Sequence, residues 1–160
     1  MASPQTITDR ELEIRRTFAA PRERVYQAWT KPEALTEWFC HGKPGHTGTV
    51  DELDLRVGGK LEMQVHDREN GRSFYFRGKY VEVRPPEKLA FTWAWEGHPE
   101  WGETVVSLEF HERGEATEVI LRHGVFPTME ARDGHNSGWK NCMESLEKFL
   151  GGRPMEGEKA

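Results

Sequence analysis

Between Thr49 and Phe126 the chain is a succession of short segments in which apolar and polar residues alternate, separated by glycine- and proline-rich breaks. The segments run Thr49 to Val57, Lys60 to Asp67, Ser73 to Arg84, Lys88 to Glu96, Glu103 to Glu112 and Thr117 to Phe126. A period of two puts successive side chains on opposite faces of a β-strand. The breaks between segments are too short for crossover helices, so neighbouring strands run antiparallel. Asn70-Gly71 predicts a tight type I′ hairpin, because both central positions of that turn need positive φ.

Parity assigns the two faces. Leu61, Met63 and Val65, then Phe74, Phe76 and Tyr80, then Leu89, Phe91, Trp93 and Trp95 fall on one side. Val106, Leu108 and Phe110, and Val119, Leu121 and His123, continue that side, while charged and hydroxyl residues occupy the other. A sheet with one wet face and one aromatic face needs a cover. Asp133 to Gly152 supplies it: His135, Trp139, Cys142/Met143, Leu146 and Phe149/Leu150 recur at helical spacing, with Lys140, Glu144, Glu147 and Lys148 turned away. Asp133, Asn136 and Ser137 offer caps at its start, and Gly151-Gly152 a stop at its end.

Ahead of the sheet series, Glu11 to Phe18 alternates as a further strand, with Arg16 on the side of Leu12, Ile14 and Phe18. Two short helices follow, each opened by a proline: residues 21–30 with Val25, Ala28 and Trp29 inward, and residues 31–39 with Leu35, Trp38 and Phe39 inward. Cys40 to Gly48 reads as loop. The predicted class is α+β: a curved antiparallel sheet of about seven strands, two short helices after the first strand, and a long C-terminal helix over the concave face.

At 160 residues the chain reads as one domain, with residues 10–152 as its ordered core and polar ends. Six Trp and eight Phe mean that large rings do much of the filling. A net charge of −5 with mixed signs lacks the basic stripe that nucleic acid would require. No apolar run reaches a membrane span or a signal core, and two cysteines make no disulfide framework, so a cytoplasmic monomer or homodimer is expected.

The residues also carry a family resemblance. IRRTFAAPRERVYQAWTKPEALTEWF is similar to the opening of proteins like the activator of heat-shock-protein-90 ATPase, with Phe18, Ala20, Pro21, Val25, Ala28, Trp29, Thr30, Pro32, Leu35 and Trp38 at the pattern positions. Val57 to Gly59, Arg77 to Val83, Pro85 to Leu89 and the H-x-x-G-W of His135 to Trp139 match too; Tyr26 stands where the pattern usually has Trp. The resemblance implies the helix-grip fold of the START-like (SRPBCC, birch-pollen-allergen-like) superfamily, with a cavity between sheet and long helix that takes apolar or amphipathic small molecules. The full activator has a separate N-terminal domain for its chaperone with no counterpart here, so the domain type carries over rather than the co-chaperone role.

Nucleotide-binding, nucleophile-elbow and zincin motifs are missing. Cys40, His41 and His46 lie within seven residues but lack a fourth ligand at sensible spacing, so neither metal nor cofactor is expected. The aromatic face can be solid core or the wall of a cavity on the order of several hundred Å³. On the cavity reading the ligand-binding set is Trp38, Met63, Phe74, Phe76, Tyr80, Trp93, Trp95, Phe110, His123, His135, Trp139 and Met143. Glu96 to Gly102, Cys40 to Gly48 and Gly124 to Gly134 would form the mouth. His123 and His135 point toward one space, as an acid/base pair, as polar anchors, or as satisfied core residues. The functional expectation is binding of an apolar or aromatic small molecule, with a polyketide cyclase or hydrolase-like enzyme and a chaperone-associated protein as alternatives.

Overall fold

The computed structural model describes residues 10–39 and 46–151. Seven strands form one antiparallel sheet: β1 (Leu12–Phe18), β2 (His46–Leu53), β3 (Lys60–Asp67), β4 (Arg72–Arg84), β5 (Lys88–Trp95), β6 (Thr104–Arg113) and β7 (Ala116–Gly124). Their order across the sheet is β1-β7-β6-β5-β4-β3-β2. Helices α1 (Arg22–Thr30) and α2 (Pro32–Trp38) connect the two edge strands, and α3 (Met129–Gly151) closes the chain. Lys31, shared between α1 and α2, is extended (φ −107°, ψ 129°), as a residue before proline must be, which breaks what would otherwise be one helix.

Parity holds across the sheet. Leu61, Met63, Phe76, Tyr80, Leu89, Phe91, Trp93, Val106, Leu108, Phe110, Val119, Leu121 and His123 are all buried on one face. The opposite face carries a charge ladder in which Arg122 bridges Glu13 and Glu109, each at 3.2 Å. Gly78 belongs to the inner set for a steric reason. A Cβ there would lie 2.1 Å from the Thr92 carbonyl oxygen of the neighbouring strand, so the R-G-x-Y segment needs glycine to let β4 and β5 pair.

Three local expectations need correction. The second strand runs 46–53 rather than 49–57, because the chain turns at Asp54: Gly58 takes φ +87°, and a Cβ on Gly59 would collide with the Asp54 carbonyl. That turn is tied to β4, with Gly58 N–H donating to Tyr80 O and Tyr80 N–H to Gly59 O. The β3–β4 hairpin forms at Asn70-Gly71, but its loop has four residues, Arg68 to Gly71, closed by Gly71 N–H to Asp67 O rather than by a type I′ pair. Here the Asn70 side chain accepts from Arg72 N–H instead of entering a two-residue turn.

The long helix begins at Met129, four residues before Asp133, and its first turn is capped by Thr128, whose Oγ1 accepts from Ala131 N–H at 3.1 Å. Asp133, Asn136 and Ser137 therefore lie inside α3 rather than capping it. Arg16 lies on the parity of Leu12 and Phe18, as expected, and forms an exposed ion pair with Glu147 of α3.

Buried Trp139, Met143, Leu146 and Leu150 give α3 its apolar face. Residues 40–45, and with them Cys40 and His41 of the weighed metal cluster, lie outside the described residues. Among the described residues no His/Cys/Asp/Glu group could hold a metal ion, and no helix is long and apolar enough to cross a membrane.

Candidate functional site

Where the N-terminal half of α3 crosses the sheet, the two do not close completely. A partly open pocket of about 360 Å³ remains between them. Six rings wall it: Phe39 after α2, Phe74 on β4, Trp93 and Trp95 on β5, Trp101 in a 3₁₀ turn at Pro99–Trp101, and Trp139 on α3. Val65 adds to the sheet side, and Glu130, Ala131, Gly134, His135, Gly138, Asn141 and Cys142 form the helix side.

The pocket exists because of what α3 lacks. Gly134 and Gly138 are one turn apart on the wall, and a Cβ added to either would meet nothing within 4 Å. Glycine in a helix interior costs roughly 1 kcal/mol against alanine. Two such glycines leave open a volume that ordinary helix formers would occupy.

Around the pocket the rings support one another in tilted and edge-to-face pairs. Trp93 packs on Trp139 at 5.2 Å and on Phe76 at 4.4 Å, and Phe39 meets Trp139 at 5.7 Å. The 3₁₀ turn is held by a stack of His98 on Trp101, with centroids 3.9 Å apart and planes within 4°. Cys142 donates its S–H to the Phe39 carbonyl, fixing the end of α2 against α3.

Both histidines are fully committed. The Trp139 indole N–H donates to His123 Nδ1 at 2.9 Å, and because an indole can only donate, the His123 proton sits on Nε2. That nitrogen lies 2.6 Å from Thr104 Oγ1, whose hydroxyl in turn reaches the Trp93 carbonyl. One turn nearer the mouth the pattern repeats. His135 Nδ1 donates to the Ala131 carbonyl at 2.8 Å, while Nε2 accepts from the Trp95 indole at 3.1 Å. Each imidazole is thus neutral and locks one wall tryptophan.

Burial pushes the His123 pKa well below its ordinary value, with the neighbouring His135 adding to the shift, and burial lowers His135 too against the raising effect of its bond to Ala131. The unfolded chain therefore binds more protons than the folded one just below pH 6.5, so this contribution is complete above that pH and lost as pH falls. Each histidine carries up to about 1.4 kcal/mol per pH unit in that window. Urea unfolding should show less stability at pH 5.5 than at 7.5; an unchanged midpoint would exclude the two neutral imidazoles.

Of the twelve residues singled out from the sequence, Phe74, Trp93, Trp95, His135 and Trp139 line the pocket. Trp38, Met63, Phe76, Tyr80, Phe110, His123 and Met143 are packed in the core beside or beneath it. Trp38, for example, spends its indole N–H on the Ala28 carbonyl at 2.8 Å. The Tyr80 hydroxyl is buried without a hydrogen-bond partner among the described residues, and its pKa is pushed up by burial and by nearby Tyr26. Of the expected mouth, the hairpin tip contributes Trp101, and the segment entering α3 contributes Glu130, Ala131 and Gly134.

The family model described as activator of Hsp90 ATPase homolog 1-like protein matches residues 19–151. The chain belongs to this family. A solved structure of a Chromobacterium violaceum protein is 24% identical and superposes with a TM-score of 0.82, covering 89% of this chain and 98% of the other. A Rhodobacter sphaeroides protein is 25% identical with a TM-score of 0.76, covering 91% and 95%. An AHSA1-like protein from Aeromonas hydrophila is 18% identical with a TM-score of 0.75, covering 94% and 98%. Among curated proteins no match is found. Within the family frame, α3 is the gripping helix of a START-like domain, and the pocket lies under its N-terminal half.

Proposed function

We propose that this family member is a cytoplasmic binding protein for an apolar or aromatic small molecule, held between the sheet and α3. The observation that carries the proposal is the six-ring wall with open space left at Gly134 and Gly138. Pockets of a few hundred Å³ with mostly apolar walls and a few convergent polar groups are the usual form of small-molecule sites. On this reading the site residues are Phe74, Trp93, Trp95, His135 and Trp139 together with Phe39, Trp101, Gly134 and Gly138.

The enzymatic alternative, a cyclase or hydrolase working through the histidines, is less well supported. A general base needs an unshared nitrogen within hydrogen-bond reach of substrate. His123 and His135 spend both nitrogens on protein partners. The family's name supplies a further reading, contact with a chaperone, but the ring-walled pocket favours the first.

The test is a titration of neutral polyketide-type aromatics, flavonoids and fatty acids, followed by tryptophan fluorescence and by native mass spectrometry of the complex. At least one aromatic should bind one-to-one in the micromolar range and change the emission. Silence across every compound at millimolar concentration would overturn the proposal.

A further inference from the structure

We propose that the pocket selects organic cations, molecules with an apolar or aromatic body and an ammonium-type head, with the head group directed to Glu130. This rests on the binding reading above and adds to it the charge class of the guest.

The argument begins with the lining. Among the described residues Glu130, exposed at the rim, is the one charged residue of the lining, and no Lys or Arg joins it. His135 adds no charge, since its ring is held neutral by donating to Ala131 O and accepting from Trp95 N–H. Among the described residues Glu130 forms no salt bridge with an arginine or lysine. It stands in the first turn of α3, where the partial positive charge of the helix end favours a carboxylate. One N–H group of that turn, on Ala131, is already taken by Thr128 Oγ1.

The rings point the same way. The faces of Trp, Tyr and Phe attract cations within about 6 Å of the ring centroid. One wall ring already shows this: the Arg72 guanidinium carbon lies 5.6 Å from the centroid of Phe74. An ammonium head among these rings would gain both the ring quadrupoles and Glu130. A carboxylate head would be placed beside Glu130 without a counter-charge among the described lining residues, and like charges held close repel.

The experiment is calorimetric titration of the whole chain with three molecules sharing a 2-naphthylmethyl body and bearing a trimethylammonium, a hydroxyl or a carboxylate group. The cation should bind roughly tenfold tighter than the alcohol, and the carboxylate weaker than the alcohol. In Glu130→Gln the cation-to-alcohol ratio should fall to about two or three. If the carboxylate binds as well as the cation, the charge inference fails while the pocket reading stands, because binding has been seen. If the alcohol and both ions give no heat at millimolar concentration, the pocket reading fails and takes the charge inference with it. An unchanged ratio in Glu130→Gln, with circular dichroism showing the fold intact, overturns the assignment to that carboxylate.

Discussion

A double variant, Gly134→Leu with Gly138→Leu, is expected to unfold at higher temperature than the parent and to lose ligand binding by at least a hundredfold. Both effects have one origin. Each glycine interrupts α3 at a cost of roughly 0.8 kcal/mol against leucine, and neither position has an atom within 4 Å of where a Cβ would stand. New side chains there, on the lining of the pocket, meet no packed core, so they gain helix propensity without displacing backbone. A stabilisation of about 1 to 2 kcal/mol corresponds to a rise of a few degrees in Tm for a chain of this size. The same leucines fill the space a guest would use. Calorimetric melting and ligand titration of the double variant check both halves at once. Full-strength binding by the double variant would place the guest elsewhere on the molecule, and a lower Tm would mean the wall is tighter than the geometry says.

The second large effect lies one turn deeper. His123→Ala removes a buried ring and leaves two polar groups stranded: the Trp139 indole N–H loses its acceptor and Thr104 Oγ1 loses its imidazole partner. A stranded buried donor or acceptor costs about 1 to 3 kcal/mol, and the cavity left by an aromatic-sized side chain adds to it. Urea unfolding should show a loss of about 3 to 5 kcal/mol. Thr104→Val, which removes only the outer end of the relay, should cost less than His123→Ala. A loss below 1 kcal/mol for His123→Ala would mean that the relay is not a structural element. It would also reopen the question of what a buried histidine is for.

The inner face of the sheet could be read residue by residue from alternation, because a strand has a strict period of two and a solvated opposite face. Depth could not. Phe74, Phe76, Trp95 and Phe110 share a face, yet Phe74 and Trp95 line the pocket while Phe76 and Phe110 are core. What separates them is where α3 crosses, and that is a long-range fact with no local signature. The start of α3 was hidden by the very residues that open the pocket. Gly134 and Gly138 weaken the helical pattern, and Asp133, Asn136 and Ser137 imitate caps, so the first turn at Met129 to Arg132 looked like loop.

A signal for the pocket was nonetheless present. Two glycines four residues apart inside an otherwise helical stretch carry a propensity cost with no turn to justify it, and G-x-x-x-G at helical spacing puts both on one face. Trp101 sits in the break between two strands and Phe39 just past the end of a helix, where neither the strand period nor the helix period says which way a side chain points. The histidines were visible as inward-facing, but their commitment to indole donors depends on Trp95 and Trp139 arriving from different elements, which spacing along the chain does not encode.

The paired indole–imidazole bonds also make the molecule its own spectroscopic gauge. Trp95 and Trp139 both line the pocket and each hold their N–H on an imidazole nitrogen, Trp95 on His135 near the mouth and Trp139 on buried His123. In a nitrogen-edited NMR spectrum these two indole protons report on different depths of the same structure. The outer one registers what enters the pocket, and the inner one registers whether the sheet and α3 are still closed upon each other.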